Sequence, residues 1–321
     1  MMRTTVLLLV LATGGFLLSL ALPTEALLSL FERDPGLAWT ILVELRLPRA
    51  LLALTYGATL AACGAAIQAL FANPLASPDL TGTTSGAALG AVVTAYLLGF
   101  STPLALSLGA VAGAAGVLGL LLLLAGRKAA TSTLLLAGLA ISALAGALTT
   151  LALALAPSPF AFYDAYDWLM GSLVDRSLVQ AVFALVPALA CILLLLRQVP
   201  ALDSLVLGED AAQAIGFDIG RTRLWIVSLS ALGVGACVAV CGAIGFIGLV
   251  APIFARRLTA GHPGRAIVPA ALIGATLLLG ADIAVRAAPL GRTLPIGVLT
   301  ALLGAPFFLW LVVRMRWNLR S

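Results

Sequence analysis

Residues 132–155 read STLLLAGLAISALAGALTTLALAL. These twenty-four positions carry no charged side chain, and apolar and polar residues do not alternate along them. A bilayer core about 30 Å thick needs about 20 apolar residues wound as a helix. A spanning strand would need about 10 residues of alternating character. The stretch therefore reads as a membrane helix. Nine more segments read the same way: 4–22, 47–70, 80–99, 103–125, 178–197, 223–243, 247–258, 264–287 and 296–313. Segment 247–258 is too short to span alone and is expected to stop part-way or lie against its neighbours.

The composition agrees. Of 321 residues, 62% are apolar and 10% charged, and mean hydropathy is +1.15. Soluble domains are about 45–50% apolar and about 25% charged, so the solvent for this chain is lipid. In hydrocarbon every backbone polar group must be paired internally, which leaves helix bundles or closed barrels. The expected fold is an all-α membrane protein of about ten transmembrane helices, with residues 1–321 forming one polytopic domain. The opening MMRTTVLLLVLATGGFLLSLA resembles a secretory signal. A retained first helix is the preferred reading, because everything after it is also membrane.

Basic residues orient the bundle. An alternating walk from inside places twelve of the eighteen on one face, which becomes the cytoplasmic face with both termini on it. The net charge of +5 is then a signature of insertion and calls for no nucleic acid. An internal echo also appears. AACGAAIQALFANP and AVCGAIGFIGLVAP both place a proline, Pro74 or Pro252, eleven residues after a cysteine. The copies lie five segments apart, so helices 2–5 and 7–10 form a candidate inverted repeat of the kind that recurs in transporters. Gly82, Gly86 and Gly90, with Gly109 and Gly113, fall at four-residue spacing and predict close helix packing.

Few residues could carry catalysis. Cys63, Cys191, Cys237 and Cys241 sit in apolar runs without metal-ligand spacing and read as small hydrophobes. The single histidine, His262, lies in a polar turn. Asp282 is the one acid within a long apolar run, four residues before Arg286, and a local ion pair is its default reading. No catalytic residue, metal site or bound cofactor is expected, and no phosphate loop is present. Two other classes fit less well: an ion-coupled secondary transporter would need buried ionisable groups, and an intramembrane enzyme would need clustered acids or ligands.

One stretch breaks the pattern. Residues 203–223, DSLVLGEDAAQAIGFDIGRTR, hold four carboxylates and two arginines. Leu205, Val206, Leu207, Ala211, Ala212, Ile215 and Phe217 make an apolar stripe broken by Gly208 and Gly216. Glu209, Asp210 and Gln213 face away, and Asp203 or Ser204 could cap the first turn. Helices that lie on a membrane surface favour Lys and Arg on the polar face. This acidic element instead reads as a docking site for a cytoplasmic protein.

At this point the sequence resembles the FecCD-type permeases of ABC importers for ferric siderophores, haem and vitamin B12. The resemblance spans roughly residues 40–314 and rests on four stretches: RLPRALLALTYGATLAACGAAIQALFANPLASPDLTGTTSGAALG, LGEDAAQAIG, CGAIGFIGLVAPIFARRL and LLLGADIAVRAAPLGRTLPIGVLTALLGAPFFLWL. It implies a ten-helix subunit of the bacterial inner membrane, paired with a second permease as a homodimer or with a close paralogue. A cytoplasmic ABC ATPase dimer would bind ATP and Mg, and a periplasmic binding protein would deliver cargo. Residues 203–219 would dock the ATPase through Leu207, Gly208, Glu209, Ala212, Ile215 and Gly216. Arg46, Arg49 and Arg286 would meet acids on the binding protein. Asn73 and Leu75, with Thr131 and Ser132, would form a cytoplasmic gate. The pathway would lie on the dimer axis, lined largely by the fifth and tenth helices. Cargo is expected to be a ferric siderophore first, then haem or a corrinoid. The chain departs from the family pattern at Ile253, where histidine is usual, and at Thr293, where glutamate is usual.

Overall fold

The computed structural model describes residues 2–100, 102–125, 131–156, 158–287 and 294–318. All ten apolar segments are helical. In chain order they are α1 (Met2–Ala21), α4 (Leu47–Leu70), α5 (Thr83–Tyr96), α6 (Pro103–Ala125), α7 (Thr131–Ala154), α9 (Leu178–Leu196), α12 (Ile219–Cys241), α13 (Ile247–Leu258), α14 (Ile267–Ala287) and α15 (Ile296–Asn318). Among the described residues, seven helical spans are long and apolar enough to cross a bilayer.

Connections read as loops contain further helices. In 23–46 lie α2 (Thr24–Arg33), α3 (Pro35–Thr40) and a π-helical turn, Ile41–Arg46, that runs straight into α4. Asp34 starts α3 by accepting the Leu37 N–H at 3.0 Å, and Phe31 meets Trp39 edge-on at 5.7 Å. Residues 156–177 contain α8 (Pro159–Leu169). The acidic stretch holds α10 (Val199–Ser204), a 3-10 turn (Leu205–Leu207) and α11 (Glu209–Ala214).

The core is built on α4 and α12, which are buried along most of their length, while α1, α6, α7 and α9 lie outside them. Burial against lipid supplies no hydrophobic drive, so close contact depends on small residues. The predicted glycine stripe is where α5 meets α6: a methyl group on Gly86 would lie 2.6 Å from Val117 Cγ2 and 2.8 Å from the Gly113 carbonyl. The same device joins α4 to α14, where Gly57 presses on the Gly274 carbonyl. It also joins α4 to α13, where Gly64 presses on the Gly248 carbonyl. Pro252 has no N–H, so the Gly248 carbonyl lacks its intrahelical donor, and Gly64 occupies the space beside it.

Two membrane segments are half-length. α13 has 12 residues, as expected. α5 has only 14, where a span over 80–99 was expected. At 1.5 Å per residue these helices reach about 18 and 21 Å, short of a core about 30 Å thick. In each, the missing half is irregular or 3-10 chain: 71–82 before α5 and 242–246 before α13. They hold corresponding places, third and eighth, in the two halves of the candidate repeat. The sequence echo itself does not share a conformation. Cys63-Gly64 lies within α4, whereas Gly242, at φ 72°, ends α12.

Candidate functional site

Polar groups gather at the two ends of the bundle. One end carries α10, α11 and the start of α12, here called the bracket. Gly208 (φ 95°) and Gly216 (φ 98°) sit on either side of α11 in a backbone region that disfavours side chains. Glu209 meets Arg223 at 2.9 Å. The Asp203 carboxylate accepts the Gly264 N–H at 2.8 Å and faces Arg265 at 3.6 Å. The expected cap therefore does not form: Asp203 bridges to the turn before α14, and the Ser204 hydroxyl donates back to the Ala201 carbonyl at 2.7 Å. Asp218 is the residue that caps, accepting the Arg221 N–H at 2.9 Å to start α12.

The apolar stripe of the bracket divides in two. Ala212 is fully buried, and Leu205, Ala211 and Phe217 are half-buried against the bundle. Val206, Leu207 and Ile215 face outward at 66%, 69% and 61% exposure. Of the residues assigned to docking, Leu207, Gly208, Glu209, Ile215 and Gly216 lie at the surface. Ala212 does not, because it faces inward as the methyl that seats α11 on the bundle.

The opposite end holds the three arginines around one acid. Asp282 is 1% exposed. Its Oδ1 accepts Arg49 Nε at 2.7 Å, and its Oδ2 lies 2.9 Å from Arg286 Nη2, so the expected local pair is present. Arg286 also donates to the Ser19 carbonyl at 2.9 Å and to its hydroxyl at 2.6 Å. Arg46 donates to the Leu20 and Ala21 carbonyls at 2.9 and 3.0 Å. The last carbonyls of a helix have no partners of their own and carry partial negative charge, and here two guanidiniums supply both donors and charge to α1. Among the described residues, only the Nε of Arg49 is engaged. Its side chain is 18% exposed at the rim.

The gate assigned to Asn73 and Leu75 is a tight turn. Asn73 Oδ1 accepts the Leu75 N–H at 2.9 Å, and the Asn73 N–H donates to the Gln68 carbonyl at 3.1 Å. Thr131 and Ser132 start α7, but their side chains lie outside the described residues, as does Thr293. Ile253 is half-buried in α13.

Three polar residues between the two ends of the bundle escaped the sequence reading, two of them buried and the third exposed. Gln68 is fully buried and donates to the Leu249 carbonyl at 3.1 Å, joining α4 to α13. Tyr56, also fully buried, donates to the Gly242 carbonyl at 3.0 Å and accepts the Ile244 N–H at 3.3 Å, which pins the break before α13. Asp79 lies in the 3-10 turn Pro78–Thr81 and accepts the Thr84 hydroxyl at 2.7 Å. A glutamine or tyrosine within an apolar run is a visible signal. The turn around Asp79 looked like an ordinary surface connection and gave none. The four cysteines are buried, and among the described residues no group of His, Cys, Asp or Glu could hold a metal ion.

An apolar helical bundle with two interrupted segments, charged elements at its two ends and a few polar side chains between them has the build of a membrane permease. The chain belongs to the FecCD transport family, whose model matches residues 4–314. It is 40% identical over 302 residues to the vitamin B12 import system permease protein BtuC of Vibrio cholerae, covering 90% of this chain and 88% of that one. It is equally 40% identical to the Fe(3+) dicitrate transport system permease protein FecD of Escherichia coli K12, covering 86% of each. The structure also matches an inward-facing transporter of the metal-chelate ABC type, with TM-score 0.86 and 31% identity over 98% of this chain and 100% of that one. PsaBC of Streptococcus pneumoniae, at TM-score 0.55 and 18% identity, shares the fold alone.

Proposed function

We propose that this chain is the permease subunit of an ATP-driven importer that carries a metal chelate across the bacterial inner membrane. The bracket carries the reading. Its exposed Val206, Leu207 and Ile215 sit on an element fixed from within by Ala212, Asp203 and the Glu209–Arg223 pair. Such a rigid apolar knob suits the cleft of a cytoplasmic ATPase dimer, which binds ATP and Mg and supplies the energy. Two permease subunits, related as a homodimer or as close paralogues, enclose the pathway. Both termini and the bracket face the cytoplasm, as the distribution of basic residues supports. At the outer end, Arg49 offers forked donors to an acidic periplasmic binding protein, while Arg46 and Arg286 hold the rim in shape. Asn73, Leu75, Thr131 and Ser132 narrow the pathway on the cytoplasmic side. The named relatives carry vitamin B12 or ferric citrate, so the shared cargo chemistry is a metal ion wrapped in an organic ligand, which also covers a ferric siderophore or haem.

The test pairs Leu207→Asp with Ile215→Asp. Buried interface anchors of this kind each contribute about 2 kcal/mol or more, so the double variant is expected to lose co-purification of the ATPase. Both side chains are exposed, so its melting temperature should match the parent. Retention of the ATPase would overturn the docking assignment. Uptake of labelled cobalamin, ferric siderophore and haem by cells lacking the gene identifies the cargo, and failure of every chelate to depend on the gene would refute the importer reading.

A further inference from the structure

We infer that Asp79, with Thr84 and Ser142, forms a water-exposed hydrogen-bonding station half-way along the translocation pathway, where cargo bearing N–H or O–H donors is held in transit. The inference rests on the importer reading and adds to it a contact residue and a cargo chemistry.

Depth comes first. A methyl group on Gly248 would lie 2.8 Å from the Leu60 carbonyl and 3.1 Å from Pro78 Cδ, so Pro78 sits beside Leu60. Leu60 is ten residues before the end of α4, about 15 Å along the helix. The Ser142 hydroxyl donates to the Asp79 carbonyl at 3.4 Å, and Ser142 is eleven residues into α7, about 16 Å from its start. Two helices therefore place Asp79 near the middle of the bilayer. The turn that holds it is the climb from the end of α4 back to the half-helix α5.

Exposure comes second. The Asp79 side chain is exposed, and Thr84 and Ser142 beside it are half-exposed. A carboxylate at this depth is costly against lipid, and non-helical backbone is tolerated there only inside protein or beside a water-filled cavity. A dry contact with a second subunit would require a cation at the same level. Among the described residues the chain has none to offer, because the basic ones fall in the connections or near helix ends. Water and passing cargo are what remain. Thr84 occupies one lone pair of Oδ1. An ionised carboxylate only accepts hydrogen bonds, so the rest of its capacity suits amide, amine or hydroxyl donors on a chelate. Pro78, next to Asp79, also lies beside Gly248 in the first turn of α13, so the site sits between half-helices that hold corresponding places in the two halves, the kind of position where carriers built from repeats bind.

The test places cysteine at 79 in the permease co-expressed with its ATPase and reconstituted in liposomes. The probe is a membrane-impermeant trimethylammonium methanethiosulfonate. The four native cysteines are buried, so the unsubstituted complex sets the background. Reaction of Asp79→Cys well above Ala212→Cys, a buried reference, is expected. Silence at 79 in a complex that retains its ATPase, or a disulfide between two copies of residue 79, would overturn the proposal. Should Asp79→Cys fail to assemble, Thr84→Cys and Ser142→Cys carry the same two outcomes. With whichever chelate the uptake assay identifies, Asp79→Leu should raise the half-saturating concentration about tenfold, the factor expected for one lost charge-assisted hydrogen bond. Asp79→Asn keeps an acceptor and should fall between. Loss of ATPase co-purification from the parent protein would instead indict the importer reading and leave the labelling result to stand alone.

Discussion

Asp282 is the residue on which the arginine-rich rim depends. Its carboxylate is almost wholly buried and faces two guanidiniums, each less than a fifth exposed. Taking one charge away from such a cluster leaves the others without compensation. Removal of a partner from a buried pair costs about 3–5 kcal/mol. Asp282→Asn should therefore lower the melting temperature of the purified permease sharply, an outcome that differential scanning fluorimetry reads directly. The arginines should separate by role. Arg286→Ala strips donors from the end of α1 and from Asp282 together, so it should destabilise the subunit. Arg49→Ala removes a single bond to Asp282 and two nitrogens that bond no other described residue. It should cost less stability and more affinity for the binding protein, measured by titrating that protein against each variant. The reverse ranking would mean that the binding protein reads Arg286 and that Arg49 is the structural member.

At the scale of elements, contact is governed by where a methyl group can be tolerated. Gly64 faces the Gly248 backbone, which cannot step aside as a flexible side chain could. Gly64→Ala should therefore cost about 1–3 kcal/mol, the usual range for overpacking. Gly116 lies in α6, and a methyl group there would meet nothing within 4 Å, so Gly116→Ala should stabilise the helix by about 0.5–1 kcal/mol. Thermal melts of the two variants should move in opposite directions. Spacing predicted that α5 and α6 would each pack closely, because glycines four apart form a stripe whatever the partner, but it did not name them as partners of each other. It could not predict that Gly64 meets Gly248, since that contact depends on how α13 crosses α4 after a chain break. The same limit applies to the bracket. Its apolar stripe was legible, but the order of residues along it does not say that Ala212 turns inward while Leu207 and Ile215 turn out. The shortness of α13 could be counted from the sequence, and that of α5 could not. Thr83 follows Leu80 and Thr81 without a charge to mark the boundary, so the 3-10 turn there reads as more helix.

For the molecule as a whole, the interrupted segments are the places where shape can change at low cost. α4 and α12 pack on nearly all sides and act as a frame. Among the described residues, the chain between α12 and α13 is held to that frame by Tyr56, bonded to Gly242 and Ile244, and by the Gly242 N–H, which donates to the Val238 carbonyl at 2.8 Å. Phe246 sits there in a left-handed conformation at φ 66°, against Gly304 of α15. A tilt of α12 relative to α13 would strain this joint, because α12 ends and α13 begins on it. Tyr56→Phe removes the hydroxyl and leaves a buried carbonyl and a buried N–H without their partner, a loss of about 1–3 kcal/mol. The loss should be local, because the ring and its packing remain. Hydrogen exchange should quicken across 242–247 while 226–238, inside the frame, keeps its protection. If both stretches loosened together, the joint would be part of the rigid core, and movement between the two ends of the bundle would have to run through the helices themselves.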